Sequence, residues 1–408
     1  MKFKVLNMNY LGLKGDSHVL NAMVCGSRIR FSDTIYLFWM FLMIIGLFAS
    51  VNVVFLFLAP FILAVFNYRA FIKFKVRRYS LIFFIGISSL IILSILNSSM
   101  SGSPLFYLLG TVICLISAKH TADHFSLFDI YTAMKLLYLF CIFFLGYFLY
   151  EFWGHPEPFG QILPGASTNG FPSYLIVVQI LLSSISYMLF SRVSLFFPIL
   201  TLSVSFFGNG RGSLVIAIAI LSYSIFVNIF MNNVNRTTTK SFLHYAFYVS
   251  AFCVLLLISE QLWDNLLRYT KLSVGLVDSN RVTILNEYLA GLGVADVFFG
   301  GSYSGTVIGN LYNGNPHISF IRSHYLFGLV PTICYMVSPL VIFFIVKDKK
   351  IRKVLFGFIL LLWLRAISEP ILFPTIMDYF YFLIFFIALN RYGKKHANNV
   401  GVALDYRR

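Results

Sequence analysis

An uninterrupted apolar run decides the fold class of this 408-residue chain. Residues 213–231 read SLVIAIAILSYSIFVNIFM and contain no charged side chain. As a helix, a run of this length crosses the hydrocarbon core of a bilayer, which is about 30 Å thick, because each residue adds about 1.5 Å. Similar runs recur along the chain, so we expect an all-α polytopic membrane protein.

The amino-acid composition supports this class. Hydrophobic residues make up 59% of the chain and charged residues only 11%, and there are 46 Phe and 24 Tyr. A soluble domain of this length does not need so much apolar surface. The apolar runs are continuous rather than alternating with polar residues, which argues against a membrane β-barrel.

Apolar windows of about 17–22 residues, separated by polar or basic residues, predict about twelve transmembrane helices. The whole chain, 1–408, is treated as one integral membrane domain, and residues 261–322 as its large outer loop. A second long connection is Glu151–Phe171. The predicted spans fall near residues 32–48, 51–69, 80–97, 104–118, 130–150, 172–190, 195–208, 213–231, 243–260, 323–346, 354–368 and 374–390.

The placement of Lys and Arg predicts the orientation of the chain. If both termini are cytoplasmic, most basic residues lie on the cytoplasmic side, including Lys73, Lys349 and the C-terminal tail. The net charge of +16 therefore reflects membrane topology rather than nucleic-acid binding. The basic residues left for the outer side are Arg211, Arg268, Lys271, Arg281, Arg322 and Arg365.

These outer basic residues need an explanation, because cations are disfavoured in short outer loops. Snorkelling to lipid phosphates explains Arg268 and Lys271. The four others lie beside Gly, His or Glu at predicted helix ends that face one compartment. For these four, binding of an anionic ligand competes with snorkelling as the explanation.

The first candidate segment joins two apolar helices. Residues 207–214 read FGNGRGSL. The glycines allow close backbone packing, and Arg211 together with the N–H groups at the start of the next helix would form an anion site. The alternative is a tight turn with a snorkelling arginine.

The second candidate segment lies in the large outer loop. Residues 279–285 read SNRVTIL, and glycines follow up to Gly301. This pattern predicts a short amphipathic helix that begins near Asp278 or Ser279, either of which can cap it, and that carries Arg281, which follows Asn280, in its first turn. The helix dipole disfavours a cation at that position, which favours a ligand-binding role for Arg281.

The third candidate segment, residues 315–328, reads NPHISFIRSHYLFG. His317 follows a structure-breaking Asn-Pro pair at the mouth of a predicted helix. Histidine is the side chain best suited to accept a proton near neutral pH. His324, one or two turns further along, is the competing candidate, and a structural role is the alternative for both.

No motif indicates a nucleotide, a metal or another cofactor. The chain has no GxxxxGK[ST], GxGxxG or HExxH pattern and no closely spaced pair of aspartates. Its five cysteines are scattered without CxxC spacing, and we interpret them as packing residues. We therefore expect chemistry that requires neither a cofactor nor a metal.

Taken together, the three segments resemble the O-antigen polymerase and O-antigen ligase superfamily of bacterial envelope enzymes. The similarity lies in the order and spacing of motifs over about residues 200–335. Arg211-Gly212 resembles the family's Arg-Gly at the start of a mid-chain helix. The segment from Asn280-Arg281 to Gly300 resembles the arginine segment of the family's large periplasmic loop.

Residues 316–321, with Gly328 after them, resemble the family's Pro-His-Asn-Ser-Phe-Leu segment and its later glycine. Two positions differ from that pattern. Ile318 replaces the usual Asn, which bears on the orientation of the imidazole. Leu326 stands where an acidic residue is common, which bears on helix packing.

The resemblance implies a GT-C-like glycosyltransferase at the periplasmic face of the bacterial inner membrane. Its partners would be undecaprenyl-pyrophosphate-linked oligosaccharides, the lipid bilayer and a chain-length regulator. A polymerase transfers the growing glycan to a lipid-linked repeat unit in lipopolysaccharide biosynthesis, whereas a ligase transfers it to lipid A-core. We favour polymerase because the Phe-, Ile- and Tyr-rich composition resembles these divergent proteins. A flippase or transporter of lipid-linked oligosaccharides is the non-enzymatic alternative.

The resemblance also implies roles for individual residues. Arg211 and Arg281 would stabilise the charge that develops on the pyrophosphate leaving group, and His317 would accept the proton of the acceptor hydroxyl. The expected reaction is a metal-independent, inverting single displacement. The residues expected to bind the pyrophosphate or the sugar are Arg322, Arg365, His324 and Asn280.

Overall fold

The fold was obtained as a computed structural model. The predicted spans near 80–97 and 243–260 lie outside the described residues, as do Lys73 and the C-terminal tail. Where the structure describes the chain, its regular secondary structure is helical. The described residues are 31–49, 53–72, 103–153, 155, 158–162, 170–207, 211–231, 279–312 and 314–392.

We number the α-helices of the described residues in chain order. They are α1 (Phe31–Ala49), α2 (Val53–Phe66), α3 (Tyr68–Ile72), α4 (Ser103–His124), α5 (Leu127–Glu151), α6 (Gly170–Phe190), α7 (Phe196–Phe207), α8 (Arg211–Phe226), α9 (Ser279–Ala290), α10 (Val294–Phe299), α11 (Val307–Asn310), α12 (Ser319–Phe327), α13 (Leu329–Val337), α14 (Val341–Ile345), α15 (Lys349–Ser368) and α16 (Asp378–Tyr392). Single 3₁₀ turns occur at Pro158–Gln161 and Ser338–Leu340, and a π-helical turn extends α8 at Val227–Met231.

The described helices are consistent with the predicted helical membrane protein. Within the described residues, five helices are long and apolar enough to cross a membrane. Shorter apolar helical segments occur at Phe196–Phe207 and over Leu329–Ile345, which consists of α13, a 3₁₀ turn and α14. The five long segments are Phe31–Ala49, Pro104–His124, Leu127–Glu151, Gly170–Phe190 and Gly212–Met231.

Helix α6 lies at the centre of the bundle, against α5, α7, α8, α15 and α16. Nearly all its side chains are buried, including several polar ones. Gln179 Nε2 donates to Ser183 Oγ at 2.6 Å within α6. Beside it, Tyr138 Oη of α5 lies 2.8 Å from Thr201 Oγ1 of α7. These polar groups find partners within the protein, as required where lipid offers none.

The predicted span 323–346 is not one helix. It is divided among α12, α13 and α14. Gly328 ends α12 with φ 77°, a left-handed value that glycine adopts readily. Pro331 and Pro339 then lie in the first turns of the segments that follow, where the missing N–H of proline is tolerated.

The last helix begins later than predicted, at Asp378 rather than near residue 374. The Asp378 carboxylate explains this boundary. Its Oδ1 accepts from Phe373 N at 2.9 Å and its Oδ2 accepts from Thr375 N at 3.1 Å. These two bonds hold the backbone of Phe373 and Thr375 in a turn before α16, so the helix does not begin until Asp378.

Two other boundaries also differ from the prediction. The predicted span 51–69 is interrupted by a turn at Asn67, between α2 and α3. The predicted short span 104–118 extends to His124, so that α4 is a full-length helix of 22 residues. The polar end of α4, which a hydropathy window leaves out, bonds to α16: Thr121 Oγ1 lies 2.7 Å from Tyr379 Oη, and Asn390 Nδ2 donates to Asp123 Oδ1 at 2.8 Å.

Hydrogen bonds between helix ends define two ends of the bundle. At one end, Lys347 N donates to Tyr392 O at 3.1 Å, and Tyr392 Oη donates to Met188 O at 3.1 Å. Tyr187 Oη donates to Met231 O at 3.4 Å in the same region. The starts of α6, α8 and α16 and the end of α15 therefore lie together at the opposite end, which carries the candidate site.

The described part of the predicted loop 261–322 consists of short helices. Helix α9 begins at Ser279 and carries Arg281 in its first turn, which confirms the prediction for this segment. A small hydrophobic core joins α9, α11 and α12 and includes Ile284, Tyr288 and Ile308. We refer to residues 279–312 as the cap.

Candidate functional site

Arg365 is a fully buried arginine in the last turn of α15. Its Nη1 donates to Ser368 Oγ at 2.7 Å. Its Nη2 donates to Ser173 Oγ at 2.7 Å and to Ser213 Oγ at 3.1 Å. Because these last two serines lie in the first turns of α6 and α8, one guanidinium joins the starts of two helices to the end of a third.

Gly212 provides the space for this guanidinium. A Cβ at Gly212 would lie 3.0 Å from Arg365 Nη1 and 3.4 Å from Ser368 Oγ. The first distance is shorter than ordinary van der Waals contact. The predicted close packing at the Gly-Arg-Gly turn is therefore present at Gly212, and the group that approaches is Arg365.

Glu369, one turn after Arg365, is the carboxylate of the site. Its Oε2 lies 3.4 Å from Arg365 Nη2 and 3.4 Å from Arg281 Nη2. The side chains of Arg365 and Glu369 are 1% and 8% exposed, whereas that of Arg281 is 23% exposed. One buried carboxylate thus bridges a buried arginine and a partly exposed one.

The start of α12 is joined to the same place. Ser319 Oγ donates to Glu369 O at 2.8 Å and accepts from Leu372 N at 3.3 Å. Arg322 Nη1 donates to Pro370 O at 3.2 Å. We call the four charged residues gathered here, Arg281, Arg322, Arg365 and Glu369, the arginine cluster.

The arginine cluster has an excess of positive charge, because three arginines accompany one glutamate. Four helices begin beside the cluster: Ser173 of α6 and Ser213 of α8 bond to Arg365, Ser319 of α12 bonds to Glu369 O, and Arg281 lies in the first turn of α9. The positive ends of these helix dipoles therefore point toward the cluster. Guanidinium groups beside helix N-termini form an environment suited to a phosphate-bearing anion.

His317 lies two residues before Ser319, in the turn that leads into α12. Its φ of 53° is left-handed, which is uncommon for a residue other than glycine. Its backbone N–H donates to Asn315 Oδ1 at 3.1 Å, and its ring meets Tyr312 edge-on with centroids 4.9 Å apart. Such backbone outliers concentrate at functional sites, which is compatible with the role predicted for His317.

His324 has a different environment. It is nearly buried, with Nε2 2.9 Å from Val297 O and Nδ1 2.8 Å from Tyr288 Oη. A carbonyl oxygen only accepts, so Nε2 carries the proton and Nδ1 accepts from the tyrosine. Burial raises the pKa of Tyr288 above its ordinary value, which keeps the hydroxyl a donor. Both ring nitrogens thus anchor the cap, and this geometry favours a structural role for His324.

The side chains of two predicted site residues lie outside the described residues. Arg211 is the first residue of α8, and Asn280 is the second residue of α9. In the sequence, both residues lie close to residues that belong to the cluster or bond to it. Arg211 precedes Ser213 by two residues, and Asn280 directly precedes Arg281.

The sequence-based prediction does not include Glu369 or the surrounding serines. The sequence does carry a signal for Glu369, because Arg365 and Glu369 are spaced i, i+4 at the end of an otherwise apolar segment. A charged pair at this spacing shares one helix face and requires partners near a membrane. Ser173 and Ser213 carry no comparable signal, since a serine in an apolar helix can bond to its own backbone.

Among the residues that the structure describes, no group of three or more His, Cys, Asp or Glu side chains could hold a metal ion. The described cysteines, Cys114, Cys141 and Cys334, are free thiols. Cys25 and Cys253 lie outside the described residues.

No protein-family model, curated protein or solved structure gives a significant match to this chain.

Proposed function

We propose that this chain is a membrane glycosyltransferase of the O-antigen polymerase type. It would transfer an undecaprenyl-pyrophosphate-linked glycan onto a lipid-linked repeat unit at the periplasmic face of the bacterial inner membrane. In this proposal the fold is GT-C-like, with about twelve spans and both termini in the cytoplasm. The observation that carries the proposal is the arginine cluster at one end of an apolar helical bundle.

The charge of the cluster suits a lipid-linked pyrophosphate. A pyrophosphate diester is a dianion, and it gains charge as its bond to the anomeric carbon breaks. Arg281 offers a partly exposed guanidinium at the surface of the cluster. Cations that are fixed before the reaction stabilise this developing charge more than the ground state. Arg365 is buried, so in this proposal it acts on the substrate through Glu369 and Arg281.

His317 is the proposed general base. The acceptor hydroxyl oxygen forms a bond to the anomeric carbon while the pyrophosphate leaves with the electrons of the broken bond. The hydroxyl proton moves to the imidazole. Attack opposite the leaving group inverts the anomeric configuration. The position of His317, two residues before a serine that donates to Glu369 O, supports this assignment.

The distribution of basic residues supports the proposed orientation. The connection between α14 and α15 lies at the end opposite the arginine cluster. Short cytoplasmic loops of membrane proteins are rich in Lys and Arg. The basic residues in or beside this connection are Lys347, Lys349, Lys350, Arg352 and Lys353.

The positions of buried charges favour an enzyme over a flippase or transporter. In the described part of the chain, the buried Asp, Glu and Arg side chains are Asp129, Arg365, Glu369 and Asp378. The last three lie at the end of the bundle that carries the cluster, and Asp129 lies in the first turn of α5 at the other end. A transport path would be expected to carry such groups along the length of the helices.

The lipopolysaccharide pattern of a strain that lacks the gene tests the proposed function. Loss of the polymerase leaves a single repeat unit on the core. Core alone, with polymer retained on the carrier lipid, would identify a ligase instead. An unchanged pattern, with complementation as the control, would contradict both activities.

A further inference from the structure

Glu369 stands between two arginines that are held very differently. Arg365 is fixed within the bundle by Ser173, Ser213 and Ser368. Arg281 belongs to the cap and is partly exposed. The same carboxylate oxygen, Oε2, faces Nη2 of both arginines at 3.4 Å. Arg365 thus holds the Glu369 carboxylate in place, and the carboxylate in turn holds the guanidinium of Arg281.

Arg281 and Glu369 are 88 residues apart in the sequence, so their ion pair joins the cap to the segment after α15. Without the carboxylate, two guanidiniums would face each other with their mutual repulsion uncompensated in a poorly solvated site. Arg281 would then move outward, toward water. Removal of the charge on Glu369 should therefore displace Arg281 rather than Arg365, which keeps its three serines.

We propose that Glu369 is a positioning residue, which sets the guanidinium of Arg281 where the pyrophosphate of the donor lipid binds. The proposal rests on the proposed function. Glu369 engages Nη2 of Arg281 through one oxygen, in contrast to a bidentate pair in which both guanidinium nitrogens meet both oxygens. This contact therefore orients Arg281 through a single nitrogen.

The first test needs no enzymatic activity. Purified protein is treated with phenylglyoxal, which modifies accessible arginines, and the rate at each arginine is measured by mass spectrometry. Glu369→Gln should increase the rate at Arg281 several-fold relative to the exposed Arg391, while Arg365 stays protected. An unchanged rate at Arg281 would overturn the proposal.

Glu287→Gln is the matched control. Glu287 Oε2 accepts from Val307 N at 2.9 Å within the cap, and the amide oxygen of glutamine can still accept this bond. The control removes a charge from the same region without touching the cluster, so Arg281 should react as in the wild type. If Glu369→Gln also makes Arg365 reactive, the bundle itself has been disturbed, and the experiment is repeated with Glu369→Asp. That variant keeps the charge but shortens the reach, and it should also make Arg281 more reactive; protection equal to the wild type would contradict the proposal.

The second test separates positioning from direct catalysis by a double-mutant cycle on turnover. Glu369→Gln should lower kcat about 10²-fold, the loss expected from a misplaced catalytic group. In an Arg281→Ala background, Glu369→Gln should cause no further loss. Multiplicative losses would show that Glu369 acts independently of Arg281. If the wild type makes no polymer while the modification rates follow the prediction, the proposed function fails and the positioning role remains.

Discussion

Replacement of Gly212 by alanine tests whether the position of Arg365 depends on close packing against α8. The new Cβ would lie 3.0 Å from Arg365 Nη1 and 3.4 Å from Ser368 Oγ. These two atoms form a hydrogen bond of 2.7 Å with each other. The methyl group must therefore displace the guanidinium or push α8 away from α15.

Two opposing contributions decide whether Gly212→Ala raises or lowers the free energy of unfolding. Alanine stabilises a helix interior relative to glycine by about 0.5–1 kcal/mol, and by less at the second helical position, which Gly212 occupies. Loss or distortion of a hydrogen bond to a charged group costs about 1.5–3 kcal/mol. The balance predicts a net destabilisation of about 1–2 kcal/mol for Gly212→Ala. Gly146→Ala on α5 is the matched control, because a Cβ there meets nothing within 4 Å and only the helix contribution remains.

Thermal unfolding of both purified variants in one detergent, at one scan rate, measures this difference. The Tm of Gly212→Ala should fall by about 1–2 °C, and that of Gly146→Ala should rise by about 1 °C. Gly212→Ala should also shorten the polymer made in vivo at equal membrane levels. The reasoning is refuted if Gly212→Ala is as stable as Gly146→Ala and makes polymer of normal length.

Further predictions concern the cluster, the two histidines and the topology. Arg281→Lys should lose nearly as much activity as Arg281→Ala, because an ammonium cannot make a forked contact to phosphate; wild-type polymer from the lysine variant would contradict this. His317→Ala should lower turnover about 10²–10⁴-fold and still bind the donor, and full-length polymer from a well-expressed variant would exclude the base role. Tyr288→Phe removes the donor to His324 and should cost about 1 kcal/mol of stability with little change in polymer length. Loss of polymer at normal stability would instead indicate a catalytic His324. A cysteine at position 317 should react with an impermeant maleimide from outside and one at position 349 should not; the reverse would contradict the orientation.

The sequence predicts most of the described transmembrane helices well, because a long apolar run has few alternatives to a spanning helix. The boundaries fail where particular side chains or backbone angles override hydropathy. Asp378 binds the backbone of the apolar segment that precedes α16, and Gly328 divides an apolar run by its left-handed φ. Neither effect changes the hydropathy of the sequence, so window-based prediction does not detect it.

The site is only partly predictable for a related reason. Orientation alone predicts that Arg281, Arg322 and Arg365 face one compartment, and the structure brings them together. The burial of Arg365 depends on which face of α15 meets α6 and α8. The sequence does not reveal that face, because α15 carries apolar residues on every face. The bridging role of Glu369 depends on the fold of the cap, 88 residues earlier in the chain than Glu369.

The central claim is that the arginine cluster binds a lipid-linked pyrophosphate. The most direct test is equilibrium binding of undecaprenyl pyrophosphate and undecaprenyl monophosphate to the protein in nanodiscs. The wild type should prefer the pyrophosphate by about tenfold, or about 1.4 kcal/mol. Arg281→Ala should lose this preference, while Arg69→Ala, at an exposed arginine near the opposite end, should keep it. Equal affinity of the wild type for the two lipids, or an unchanged preference in Arg281→Ala, would contradict the claim.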